Sequence, residues 1–178
     1  FHSSEEQAKH ERDLESTGLK ALEELKSAGD IKAYGMGINQ KESLAKLAQR
    51  LPLDFVLVAM PYTLIDQESL HDGMEKCLKN STSVIIGAPF ASGILATGSV
   101  PNSKYAYGNA SADLQLKVKK IEALCEKHAI SLKAAALQFV LAHPAVVSTI
   151  PGAISADQVI ENIKCLESKI PEIFWEEL

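Results

Sequence analysis

The chain has 178 residues, is 46% hydrophobic and carries a formal net charge of −5 at pH 7. This composition is typical of a globular protein that can bury a core. The acidic balance, without a Lys/Arg stripe, argues against nucleic acid or an anionic membrane surface as a partner. No apolar run approaches the roughly 20 residues of a membrane span, so we expect no membrane association.

The three cysteines, Cys77, Cys125 and Cys165, stand at long spacings and form no C-x-x-C pair. An odd number without metal-ligand spacing is typical of reduced thiols packed inside a cytosolic protein. The acidic N-terminal stretch also does not have the apolar region of a signal peptide. We therefore expect a cytoplasmic protein with no metal site.

The first elements follow from charge and from helical periodicity. Residues 1–16 are dense in charge, which predicts a loop or the exposed start of a helix. From Thr17 an amphipathic helix should run to Gly29, a good residue for a helix end, and residues 31–39 should form a strand. Gly35 and Gly37 lie on one side of that strand, which allows something to approach its backbone.

The alternation of helix and strand then continues along the chain. A helix over 41–50 precedes a nearly continuous apolar run, 55–60, which predicts a strand buried on both faces. A helix over 69–80 and a strand over 83–87 follow. Residues 88–110 are rich in Pro, Gly and small residues, and predict a long cofactor or lid loop.

Helices over 114–128 and 131–141 lead to a last strand near 146–150. Pro151 and Gly152 break this strand, and Ser155 is a good N-cap for a helix that carries Val159 and Ile160. Free backbone N–H groups and the positive end of the helix dipole suit an anion such as phosphate at this turn. A final short helix should start at Pro171.

Strict βα order predicts an α/β fold with a parallel sheet, either open and doubly wound or part of a (β/α)8 barrel. Four βα units are about half of a typical barrel. In either case the ligand site belongs at the carboxyl ends of the strands, near Asn39, Tyr62, residues 87–92 and residues 151–154.

Four segments in this order resemble a known family: IKAYGMGINQ (31–40), SGILATG (92–98), LKAAALQF (132–139) and IPGA (150–153). Together they resemble the aldo-keto reductase superfamily, in the branch of D-threo-aldose 1-dehydrogenase (L-fucose dehydrogenase) and pyridoxal 4-dehydrogenase. The resemblance covers residues 17–178. It implies that residues 1–178 are one partial domain, the C-terminal half of a (β/α)8 barrel.

The resemblance also implies hydride exchange between a nicotinamide cofactor and a carbonyl or alcohol carbon. The family holds the nicotinamide carboxamide at the end of the strand that stops here near Asn39. Residues 87–95 resemble its pyrophosphate loop, and the corner after residue 150 resembles its adenosine site. The cofactor residues so implied are Gly37, Asn39, Gly87, Phe90, Ser92, Gly93, Ile94, Leu95, Pro151, Gly152, Ala153, Ile154, Gln158, Glu161 and Asn162.

Two departures from the family pattern concern the cofactor. Gly87 stands where many members stack an aromatic ring on the nicotinamide, and Phe90 is the candidate substitute. Where members pair Lys and Arg with the 2′-phosphate of NADP, this chain has Gly152, Ile154 and Gln158. Because a dianionic phosphate needs a cation, we expect NAD to be favoured over NADP.

The family's catalytic Asp, Tyr, Lys and His lie on earlier strands, so the resemblance places no catalytic residue in this chain. His2 is the one candidate for the histidine, although the charged residues after it favour a loop position. A half-barrel would expose strand edges and its inner face. We therefore expect the missing N-terminal half of the barrel, or a partner chain, to cover them.

Three functions remain open at this point. The first is an oxidoreductase acting on a small-molecule carbonyl or sugar, with this chain carrying the cofactor half of the site. The second is a regulatory or scaffold subunit that keeps the fold and has lost the catalytic residues. The third is a generic phosphate-binding α/β domain.

Overall fold

The structure is a computed structural model that describes residues 4–106 and 108–178. His2, the candidate histidine, therefore lies outside the described residues. The chain divides into two units, residues 1–35 and 36–178. The described part of the first unit is helical, with α1 (Ser4–Asp13), a π-helical turn (Leu14–Gly18) and α2 (Leu19–Ala28).

The helix α2 ends at Gly29, as its sequence predicts. Gly29 takes a φ of +84°, and its N–H donates to the carbonyl groups of Leu25 and Lys26. The next two amides, of Asp30 and Ile31, still donate to Leu25. Because these residues complete the helix end, the strand that follows is only four residues long rather than the nine expected.

The strands are β1 (Gly35–Ile38), β2 (Phe55–Ala59), β3 (Ser83–Gly87), β4 (Lys104–Tyr105), β5 (Gly108–Asn109) and β6 (Val146–Ile150). Four of them form one sheet in the order β1-β2-β3-β6, and β4 and β5 form a small antiparallel pair. β2 pairs parallel with β3, and β3 pairs parallel with β6. The α/β class and the parallel pairing predicted from the βα order are thus confirmed.

The second unit also contains α3 (Lys41–Arg50), α4 (Glu75–Lys79), α5 (Ile94–Thr97), α6 (Ala112–Lys127), α7 (Leu132–Leu141), α8 (Ala156–Glu167) and α9 (Glu172–Glu177). A π-helical turn, Leu70–Met74, precedes α4, and a 3-10 turn, Ala91–Gly93, precedes α5. The segment 88–110 therefore has short elements of its own. None of the helices in residues 4–106 and 108–178 has the length and apolarity that crossing a membrane requires.

The central strands β2 and β3 are fully buried on one face of the sheet. Val56 and Val58 of β2 and Val84 and Ile86 of β3 are inaccessible to solvent. The residues that alternate with them, including Leu57, are only partly buried, except Gly87 at the end of β3, which is buried. The second face of β2 is thus partly buried in this chain, where the sequence predicted burial on both faces.

A hydrophobic core lies among the helices that follow β3. It is built from α5, α6, α7 and α9, with residues such as Leu95, Val118, Leu137 and Phe174 inside it. The three cysteines are buried and unpaired. Burial raises the pKa of the Cys77 and Cys125 thiols to about 11, so both stay protonated at neutral pH.

The helix α8 presents its apolar side to solvent. Its buried positions are Asn162 and Cys165. The side chains that give the helix its periodicity are 43 to 52% exposed, and we call them the α8 stripe: Val159, Ile160, Ile163 and Leu166. Since water contact with so much apolar surface is unfavourable, the stripe is a candidate contact surface.

Gly73 allows the turn Leu70–Met74 to pack closely on α3. A Cβ at Gly73 would stand 2.6 Å from Cδ2 of Leu44, which is fully buried. We expect Gly73→Ala to lower the free energy of unfolding by about 1–3 kcal/mol in urea denaturation, because Leu44 cannot move without disturbing the core.

The matched control for this prediction is Gly108→Ala. A Cβ there makes only an ordinary 3.8 Å contact with the Tyr105 carbonyl oxygen. It should change the free energy of unfolding by less than about 0.5 kcal/mol. Equal effects of the two substitutions would contradict the packing argument.

Candidate functional site

The carboxyl ends of three parallel strands meet at one edge of the sheet. In the pairing register Ala59 lies beside Gly87, and Gly87 lies beside Ile150. The segments that follow these residues therefore leave the sheet side by side. This is the edge at which parallel α/β folds bind ligands.

The backbone is strained at this edge. Met60, Ala88, Ala91 and Ser92 all have positive φ values, between 48° and 84°, although none of them is glycine. The Ser92 hydroxyl also lies 3.9 Å from the sulfur of Met60, so the ends of β2 and β3 are in contact. Backbone strain of this kind clusters at functional sites in proteins.

The turn after β3 offers a ligand few side chains. The amides of Gly93 and Leu95 already donate to the Phe90 carbonyl oxygen, at 2.9 and 3.1 Å. The side chains of Ile94 and Leu95 are buried in the core. A ligand at this turn would therefore meet the remaining backbone amides, the Ser92 hydroxyl and the open space beside Gly93, where an added Cβ would have no neighbour within 4 Å.

Phe90 does not replace the aromatic residue that many family members have at the Gly87 position. Its ring is only 7% exposed and packs in the core, so it presents no free face for stacking. Gly87 itself is confined, since an added Cβ would stand 3.2 Å from Cδ2 of Leu57. A ligand ring beside Gly87 would therefore rest on backbone and aliphatic groups.

The turn before α8 is exposed and ordered by its own side chains. The Ser155 hydroxyl caps α8 by accepting a hydrogen bond from the Gln158 amide at 3.3 Å. Gln158 in turn accepts from the Ile154 amide at 2.8 Å. The Ile154 side chain is 94% exposed, and Gly152 and Ala153 are also open to solvent. Pro151 is half-buried.

Asn162 is the most unusual polar group at this corner. Its residue is only 6% exposed, and its Oδ1 has no hydrogen-bond partner among the described residues. A buried amide oxygen without a donor is unfavourable, and such atoms in native proteins call for a physical reason. Because this oxygen is closed to solvent, a ligand that donates a hydrogen bond reaches it only after the Asn162 side chain turns outward.

Lys133, on the first turn of α7, joins two parts of the edge. Its Nζ lies 2.6 Å from Oε2 of Glu161 and 5.5 Å from the centroid of the Phe90 ring. Lys133 is not among the site residues that the sequence predicts. One signal was available, because a lysine at a helix N-terminus is opposed by the helix dipole and calls for an acidic partner.

Gly37 lies in β1, and Asn39 directly follows the carboxyl end of that strand. Both are exposed, and an added Cβ at Gly37 would have no neighbour within 4 Å. The strand order puts β1 three strand spacings from β6, or about 14 Å at the usual spacing. A ligand that spans the strands from β1 to β6 must therefore be extended, as a dinucleotide is.

Two described tyrosines, Tyr62 and Tyr105, have pKa values above the usual range. Burial raises the pKa of Tyr62. The Tyr105 hydroxyl donates to Oδ2 of Asp66 at 3.0 Å, and burial together with that bond raises its pKa well above the usual range. Among the described residues there is also no group of three His, Cys, Asp or Glu side chains that could hold a metal ion.

The sequence model of the aldo/keto reductase family matches residues 2–178. The chain belongs to the aldo/keto reductase family. This confirms the resemblance drawn from the four sequence segments, and it identifies the chain as a relative of oxidoreductases.

Individual relatives agree with this assignment. The chain is 34% identical over 158 residues to pyridoxal 4-dehydrogenase from Microbacterium luteolum, a match that covers 89% of this chain and 46% of that protein. It is 31% identical over 172 residues to D-threo-aldose 1-dehydrogenase from a Pseudomonas species, covering 96% of this chain and 52% of that protein. The chain thus spans about half the length of the curated aldo/keto reductases that it matches.

A solved structure of the same family has a similar fold. The holo form of aldo-keto reductase AKR11C1 from Bacillus halodurans superposes with a TM-score of 0.66 at 25% sequence identity. The superposition covers 87% of this chain and 51% of that structure. The aldo/keto reductase fold is therefore supported by coordinates as well as by sequence.

Proposed function

We propose that this chain is the cofactor-binding, C-terminal half of an NAD-dependent aldo/keto reductase barrel. The assembled enzyme would interconvert an alcohol or sugar with a carbonyl compound by hydride transfer. The observation that carries the proposal is the buried, unpartnered Oδ1 of Asn162, at the corner where the family holds adenine.

The residues of the edge fit an adenine dinucleotide. Asn162 and Glu161 provide acceptors suited to an exocyclic amine. The turn at Ser92 and Gly93 has room for phosphate groups, and Asn39 has an amide for the nicotinamide carboxamide. NAD would supply the hydride acceptor, while these residues of the chain bind and orient it.

The identity of the residues near the adenosine favours NAD over NADP. Gly152 and Ile154 carry no charge, and Gln158 is engaged with the Ile154 amide. The nearby cation, Lys133, is paired with Glu161. The three positions that the resemblance assigns to the 2′-phosphate, Gly152, Ile154 and Gln158, thus carry no positive charge to meet it.

This preference can be measured by calorimetric titration of the intact protein with each cofactor. We expect NAD to bind at least about tenfold more tightly than NADP. This factor is about the contribution of one charge-assisted contact, which the 2′-phosphate of NADP would not make here. Tighter binding of NADP than of NAD would contradict the proposal.

The substrate class follows from the relatives, one named for pyridoxal and one for an aldose. We propose a small polar alcohol or sugar and test it by following reduced nicotinamide when NAD is mixed with fucose or pyridoxal. Oxidation of either would support the enzyme. NAD binding without turnover of any such alcohol would favour a regulatory subunit instead.

The proton-transfer residues are proposed to lie outside this chain, in the other half of the barrel. The half-exposed second face of the sheet and the α8 stripe are surfaces for that half to cover. The buried, unpaired thiols suit a reducing compartment, and we propose the cytoplasm.

A further inference from the structure

Lys133 occupies a position that is electrostatically unfavourable without a partner. It is the second residue of α7, where the helix dipole repels a cation. Its side chain is only 13% exposed, so it has also lost most of its contact with water. A lysine in such a place is held by specific contacts rather than by solvent.

Two contacts of Lys133 come from segments far apart in the sequence. Its Nζ is 2.6 Å from Oε2 of Glu161 on α8, and it lies over the buried ring of Phe90, 5.5 Å from the centroid. Phe90 begins the turn after β3, and its carbonyl oxygen accepts the Gly93 and Leu95 amides. Lys133 therefore links the proposed phosphate turn with the proposed adenine corner.

The ion pair restricts a side chain that would otherwise move freely. The Glu161 side chain is 54% exposed, and a half-exposed glutamate samples several rotamers. The pair engages Oε2, so Oε1 is the oxygen that remains for a ligand. Asn162, the next residue, carries the buried Oδ1 that has no partner in the described part of the chain.

We propose that Lys133 is a positioning residue that sets the base specificity of this site. By holding Glu161 through Oε2, it directs Oε1 to accept a hydrogen bond from the exocyclic amine of adenine. The inference rests on the proposed function, namely that this corner binds the adenine of a dinucleotide.

The test compares NAD with nicotinamide hypoxanthine dinucleotide, which differs at one position of the base. There the amine of adenine is replaced by a carbonyl oxygen, which a carboxylate oxygen repels. The dissociation constants of both are measured on the intact protein by calorimetry, for wild type, Lys133→Met, Lys133→Arg and Glu161→Gln. Thermal stability is measured in parallel.

In the wild type we expect NAD to bind at least about tenfold more tightly than the hypoxanthine analogue, the usual contribution of one charged hydrogen bond. In Lys133→Met the two dissociation constants should differ by no more than about threefold. Lys133→Arg should restore the wild-type ratio, because arginine keeps the ion pair with Glu161. Glu161→Gln should also reduce the ratio. The control, Lys164→Met, removes an exposed lysine of α8 and should leave the ratio unchanged.

The outcomes separate this inference from the proposed function. If Lys133→Met lowers stability but keeps the wild-type ratio, Lys133 is only a structural contact and the inference is wrong. If Lys133→Met fails to fold, Glu161→Gln serves as the test instead. An unchanged ratio of NAD to analogue affinity in that variant also contradicts the inference. If the wild type binds neither dinucleotide, the proposed function fails and this inference falls with it.

Discussion

Replacing Asn162 with leucine should weaken NAD binding by about 10- to 100-fold while leaving the protein as stable as before or more stable. Leucine has nearly the same shape but removes an oxygen that is buried without a partner. Losing an unsatisfied polar group is neutral or favourable for folding, whereas losing a hydrogen bond to a ligand costs about 1–3 kcal/mol of binding energy. Calorimetric titration with NAD and urea denaturation would measure the two effects.

A matched control is Asn80→Leu. The Asn80 side chain donates to the Ala48 carbonyl oxygen at 2.6 Å, away from the strand ends. This substitution should lower the free energy of unfolding by about 1 kcal/mol and leave NAD binding unchanged. The account of Asn162 would be wrong if Asn162→Leu unfolded the protein while the binding constant stayed the same.

The second large effect concerns the α8 stripe. We expect Ile160→Lys together with Ile163→Lys to weaken association with the N-terminal half of the barrel by about 1000-fold or more. Each isoleucine contributes about 1.5–3 kcal/mol when buried, and each lysine would add an unpaired charge to the interface. Both side chains are half-exposed here, so the fold of the chain itself should be little affected.

Sedimentation of the two co-expressed halves would measure this association. Leu116→Lys is the control, since Leu116 is 54% exposed on α6 and lies outside the α8 stripe. It should leave the complex intact. Unchanged assembly of the double variant, or equal loss with Leu116→Lys, would show that the stripe does not face the other half.

The order of elements could be predicted because each one follows a local rule. Gly29 ends α2 because its left-handed conformation is accessible to glycine, and Ser155 caps α8 with its hydroxyl. The parallel sheet followed from the alternation of strand and helix. These features depend on neighbours in the sequence, so the sequence alone contains them.

Burial was harder to predict because it depends on what surrounds an element. The apolar run of β2 and the apolar side of α8 both indicate buried surface, yet each has a face that this chain leaves partly exposed. In each case the sequence pattern predicts more burial than residues 4–106 and 108–178 provide. This agrees with a chain that spans about half of its matched relatives.

The candidate site combines positions that the sequence indicated with contacts that it did not. The strand ends indicated where a ligand would bind, and Asn162 was identified through the family resemblance. The burial of the Phe90 ring and the pair between Lys133 and Glu161 were not foreseen. They join residues that are distant in the sequence, and only tertiary packing brings them together.

We propose above that the strand-end edge of this chain holds an extended adenine dinucleotide. A crystal structure of the assembled protein grown with NAD would test it most directly. We predict adenine against Asn162 and Glu161, phosphates at the turn of Ser92 and Gly93, and the nicotinamide carboxamide near Asn39. A dinucleotide bound elsewhere on the protein, or no bound NAD at saturating concentration, would contradict the claim.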